Sequence, residues 1–161
     1  MPERRTIQRA RKAKRAGKAP STQAGEFVRE EMHHVREGKH GARSTKQAIA
    51  IGLNKARRAG VRLGTPKRSS QRTKQSARSA RAHAGKKPSA RRSRAVRGAL
   101  EHEPRRAASH RALARQARAS ARRRGPAARR AAARKAARTK GPAGRRAAAK
   151  KAARTRARRG T

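Results

Sequence analysis

Two groups of residues in this 161-residue chain have types and spacings that could do chemistry. The first is the run Glu30-Glu31-Met32-His33-His34-Val35-Arg36-Glu37, with His40 just beyond it. Glu30/His33 and Glu31/His34 have the i,i+3 spacing with which a helix offers a carboxylate and an imidazole to a metal ion. Sites of that kind draw ligands from several packed helices, and a chain without Cys has no thiolate to add. The expectation is therefore no metal, and exposed ion pairs instead, Glu26 with Arg29 or Glu30 with His34, worth a few tenths of a kcal/mol.

The second group is the basic residues. Lys and Arg number 51 against 7 acids, all Glu, for a formal charge of +44. Such one-sided charge calls for a polyanion. Candidate phosphate contacts are Arg122, Arg123, Arg124, Arg129, Arg130, Arg134, Lys135, Arg138, Arg145, Arg146, Lys150, Lys151 and Arg154, with Arg57 and Arg58 further upstream. Nucleic acid fits better than an anionic membrane surface. Surface-binding helices need large apolar residues on one face, and the most basic stretches have almost none.

Other chemistries find no footing. No Walker-type loop and no G-x-S-x-G elbow is present, and Ser109-His110 has no Asp anywhere in the chain to complete a triad. A substrate pocket needs a packed apolar wall, yet the one aromatic residue is Phe27. No catalytic residue, cofactor or small-molecule substrate is expected. The first twenty residues hold one large aliphatic side chain after Met1, Ile7, so neither a secretory signal nor a membrane span is expected. A cytoplasmic location on the nucleoid follows from that reading.

The elements that would position these groups come from the apolar pattern. Apart from Met1, thirteen residues are Val, Ile, Leu, Met or Phe, and nine of them lie within residues 21–63. So few large side chains cannot offset the ordering entropy of the whole chain. The expected fold is a mainly disordered chain with a small all-α segment, a helical hairpin over 21–63. Ala24, Phe27, Val28, Met32 and Val35 share one side of a first helix, which Gly38 ends. Ser44 and Gln47 fit a capping box for a second helix running to about Ala59, with Ile49, Gly52, Leu53 and Ala56 inward and Gly60 at its end. The small Gly52 and Ala56 let the first helix come close. A strand over Ala48-Ile49-Ala50-Ile51 is the alternative. Self-association through Phe27/Val28/Met32 and Ile49/Leu53 would cover the thin core.

Around the hairpin, residues 1–20 read as a basic arm of net +7 and 64–103 as a disordered basic linker that opens at Gly64-Thr65-Pro66. Residues 104–161 read as an Ala/Arg/Lys tail with 22 basic residues and no acid. Within it residues 125–140 and 141–156 are a 16-residue repeat identical at thirteen positions. Each repeat encodes a helix, with Pro126 and Pro142 at N1 and Gly125 and Gly141 closing the preceding segment. Like charges at i,i+4 weaken short helices, which predicts a mobile tail that becomes helical on a duplex.

The stretch Ser21-Thr-Gln-Ala-Gly-Glu-Phe-Val-Arg-Glu-Glu-Met-His-His-Val-Arg-Glu-Gly-Lys-His-Gly-Ala-Arg-Ser-Thr-Lys-Gln-Ala-Ile-Ala-Ile-Gly-Leu-Asn-Lys-Ala-Arg-Arg-Ala-Gly60 resembles a family of small basic proteobacterial proteins without an assigned function. The likeness covers residues 1–63 and implies a bacterial, cytoplasmic setting and no catalytic residues. Residues 104–161 are similar in composition to the tails of linker histones and bacterial histone-like proteins, which implies DNA compaction. The combined expectation is sequence-independent DNA binding and condensation. The alternatives are an RNA- or ribosome-associated protein, or an adaptor whose hairpin binds another protein.

Overall fold

The computed structural model describes residues 2–65, 69–87 and 89–160. It has α1 (Arg4–Arg15), α2 (Pro20–Arg36), α3 (Thr45–Arg58), α4 (Gln71–Ala82), α5 (Ala90–Glu101) and α6 (His110–Arg159), with a 3-10 turn at Arg105–Ala108 before α6. These elements hold 78% of the described residues and no strand occurs among them, so the expectation of a mainly disordered chain with a two-helix hairpin is overturned. The strand alternative at 48–51 is overturned with it.

Two physical reasons account for the difference. The first is capping. Ser44 accepts a hydrogen bond from Gln47 N at 3.2 Å, as the capping box predicts, although Gln47 Oε1 reaches back to Arg43 N at 2.7 Å, one residue earlier than expected. Ser70, Ser89 and Ser109 do the same for Thr73 N, Arg92 N and Ala112 N, starting α4, α5 and α6 inside stretches that read as low-complexity linker and tail. Each such oxygen satisfies a backbone N–H that the helix leaves without a partner.

The second reason is alanine. Of the fourteen buried hydrophobic residues among those described, nine are Ala. Small side chains let helix backbones approach, and dispersion between close-packed backbones then replaces some of what large side chains supply. Gly52 shows the approach directly: a Cβ built there would meet Val28 Cα at 2.7 Å and Phe27 O at 3.0 Å.

Through Gln116 the chain forms one compact unit, and Ala117 onward forms a second. In the first, α2 is central and packs against α1, α3 and the 3-10 turn, while α3 also contacts α4. One apolar cluster joins Ala10, Ala24, Phe27, Ala56, Val61 and Leu63, with Ile7 and Leu53 against it. The other joins Met32, Val35, Ala42, Ala48, Ala107 and Ala108, with Val28, Ile49 and Leu113. The expected core residues Phe27, Met32 and Val35 are buried, and Val28, Ile49 and Leu53 are half-buried. Their apolar stripes are covered from within the chain, by α1 on one side and the 3-10 turn on the other, which removes the reason given for self-association.

The expected arm, 1–20, and part of the expected tail therefore belong to the same body as the hairpin. Thr45 Oγ1 donates to Ala107 O at 2.7 Å and Arg36 Nε to Ala108 O at 2.8 Å. Gly41 N donates to Leu100 O and Ala42 N to Pro104 O. Residues 64–103, expected as linker, contain α4 and α5, though α5 buries no side chain. Pro66 of the expected joint lies outside the described residues.

Within the second unit, α6 is interrupted at Gly125 (φ 75°, ψ 168°) and Gly141 (φ 64°, ψ 173°). That backbone region is accessible essentially to glycine alone. Pro126 and Pro142 follow, each at the start of a new helical run, 126–140 and 142–159. The joints fall where the repeat predicts. The helices, however, are already formed in the free chain, which corrects the expectation of a mobile tail that folds on contact. The run 126–140 reaches, and 142–159 exceeds, the length of about 12–15 residues below which even Ala-rich helices are marginal.

Candidate nucleic-acid interface

Residues 117–161 carry 18 Lys and Arg and no acid. Because the runs 126–140 and 142–159 are helical, spacing decides which cations share a face. Arg130, Arg134 and Arg138 follow at i, i+4 and i+8, and so do Arg146, Lys150 and Arg154. Arg129, Lys135, Arg145 and Lys151 flank these stripes, and Arg122, Arg123 and Arg124 end the run before Gly125. All thirteen are exposed. Arg145 Nε donates to Gly141 O at 3.3 Å, while its terminal nitrogens are unused by that bond. Most residues between the cations are Ala, and none within the two repeats is a large apolar side chain that would shield the guanidinium groups.

Arg57 and Arg58, also expected as contacts, lie elsewhere. Arg57 is 7% exposed and donates through Nη1 to Asn54 Oδ1 at 3.3 Å. Burial, and then the nearby Arg81, push its guanidinium below the usual range. Arg58 Nη2 donates to Lys86 O at 2.8 Å, and Arg58 O accepts from Gly85 N, so this residue ties the turn after α4 to α3. Arg57 is thus committed to the fold, while Arg58 is half-buried and carries a structural bond as well; the sequence signal, an Arg-Arg pair near a helix end, does not reveal which face is covered.

The acid and imidazole cluster also differs from expectation. Glu26 pairs with Arg9 of α1 at 3.2 Å, an inter-helix contact in place of the expected Arg29. The Glu30 and His34 contact is present at 4.0 Å, but Glu30 and Glu31 are buried, not exposed. Glu30 accepts from Glu3 N at 3.3 Å and 3.4 Å, which sets a buried carboxylate against the positive N-terminus of α1. Lys55 of α3 lies 2.6 Å from Glu31 Oε2 and 3.9 Å from Glu30 Oε1. His34 Nε2 meets Glu3 Oε1 at 2.9 Å, and this hydrogen bond leads the interactions that hold the Glu3 carboxyl below its ordinary value. Lys39, bonded first to Glu37 and then to Glu3, is pushed up. Acids that looked like surface pairs thus clamp α1 and α3 onto α2.

No protein-family model, curated protein or solved structure matches this chain. What it does is read from its own residues. Among the described residues, no helix is long and apolar enough to cross a membrane.

Proposed function

We propose that the protein binds DNA without sequence preference and condenses it on the nucleoid, using the exposed cations of residues 117–161. The observation that carries this reading is the pair of Ala/Arg helices whose cations recur at i, i+4, i+8 with no acid among them. Each phosphate neutralised releases a counterion, and that entropy is the source of affinity. Sequence reading needs side chains fixed against base edges by a scaffold, and the short Ala and Thr residues around these exposed cations supply none.

DNA is favoured over RNA by the aromatic content. Readers of single-stranded RNA stack bases on exposed rings. Phe27 is the chain's one Phe, Tyr or Trp, and at 1% exposure it is committed to the core. The deciding experiment is crosslinking and sequencing of nucleic acid bound in cells, for the full chain and for a deletion of 117–161. A flat genome-wide DNA profile that disappears with the deletion supports the proposal. A discrete set of RNAs, or a profile unchanged by the deletion, overturns it.

A further inference from the structure

Outside the basic helices, one place in the fold gathers acids and imidazoles. Glu31 is fully buried, and Lys55 takes its Oε2 at 2.6 Å, so Oε1 faces His40 Nε2 at 3.3 Å. The other nitrogen of that ring, Nδ1, stands 2.9 Å from Gly41 O. A carbonyl oxygen only accepts, so Nδ1 carries the hydrogen. In the neutral imidazole Nε2 then bears a lone pair, and it points at a carboxylate. Glu31 Oε1 is buried without a hydrogen-bond partner, and a proton or a metal ion between the two atoms would satisfy both.

The geometry fits the metal. The ligand atoms of Glu31, His34 and His40 lie within 4.8 Å of one another. In a tetrahedral zinc site with bonds of about 2.0–2.1 Å, neighbouring ligand atoms are about 3.3 Å apart, and Glu31 Oε1 and His40 Nε2 already have that separation. Ring N–H donation to a backbone carbonyl, as His40 makes, is how metal-binding histidines are oriented. Glu3 at His34 Nε2 is the corresponding carboxylate partner. Charge agrees as well. Among the ion pairs that join these residues, with neutral imidazoles, Glu3, Glu30, Glu31 and Glu37 outnumber Lys39 and Lys55 by two, and a divalent ion brings the same two charges that protonating both rings would.

We propose that Glu31, His34 and His40 form a site for a divalent transition-metal ion of the zinc type, with the fourth position open to water. Two imidazoles and one carboxylate are a donor set that Zn2+ accepts. Glu31 and His34 come from one face of α2, and His40 from the loop that Gly38 turns and that residues 100–104 hold through Gly41 and Ala42. The ion would therefore fasten that loop to α2, independently of the nucleic-acid reading.

The test uses the full chain, freed of nucleic acid in high salt, stripped with a chelator and titrated with Co2+ and then Zn2+. One equivalent of Co2+ is expected to give the visible absorption of a four-coordinate ion, which Zn2+ abolishes by displacement. His40→Gln and Glu31→Gln should each weaken binding at least about 100-fold, the upper end of what loss of an outer partner alone costs. His33→Ala, at an exposed neighbouring position, should leave binding unchanged. Circular dichroism checks that each variant is folded; if Glu31→Gln unfolds, His40→Gln decides, since His40 lies in the loop. Absence of the Co2+ band, retention of affinity in folded His40→Gln, or equal loss in His33→Ala overturns the proposal.

Discussion

At Gly52 an alanine methyl would press on the backbone of Val28 and Phe27. Because the neighbour is backbone and not a flexible side-chain tip, α2 and α3 must separate. Gly52→Ala is expected to destabilise the first unit by about 1–3 kcal/mol, measured by urea denaturation, although alanine favours helix elsewhere. An unchanged midpoint would show that the two helices are less closely packed. This residue was legible in the sequence, since a glycine on an apolar helical stripe has few other uses. Glu30 and Glu31 were not. Their neighbours suggest surface pairs, whereas their partners Glu3, Lys55 and His40 come from a different helix start, a different helix and a loop, and periodicity within one helix carries no record of those.

At the level of elements, α2 and α3 were visible from apolar spacing, with Gly38 and Gly60 at positive φ after them as expected. α4 and α5 were missed because their burial is slight, only Ala77 and Ala80 between them; the readable signal was Ser70 and Ser89 three residues before well-placed backbone N–H groups. The hairpin, whose core reads as thin, is covered by other parts of the same chain. Met32, Val35 and Ala48 are covered by Ala107 and Ala108, and Phe27 by Ala10. A 21–63 fragment is therefore expected to lack a cooperative thermal transition that a 1–116 fragment shows, with calorimetry as the measurement. A 117–161 peptide, in contrast, should give a helical circular dichroism signal without nucleic acid; a random-coil spectrum would restore folding on contact.

For the whole molecule, charge determines how binding responds to salt. Residues 141–156 hold six basic residues. If each meets a phosphate, their deletion should make the slope of log K against log salt shallower by roughly 5, at about 0.9 per phosphate. Fluorescence anisotropy on a duplex of random sequence measures this, and a slope unchanged by the deletion would mean that the repeat does not touch the backbone. Position within the repeat should matter little, so single substitutions such as Arg130→Ala are expected to change the slope by about one at most.

The helical form of the two repeats sets the axial density at which they deliver positive charge. Each 16-residue repeat holds six cations, and at about 1.5 Å per residue they spread over about 24 Å, one per roughly 4 Å. Duplex DNA places a negative charge about every 1.7 Å. A single chain laid along a duplex therefore leaves more than half of the phosphates uncompensated, and more than two helices side by side are needed to approach neutrality. Partly covered DNA would remain extended and soluble, with collapse appearing only once neighbouring chains share the same stretch.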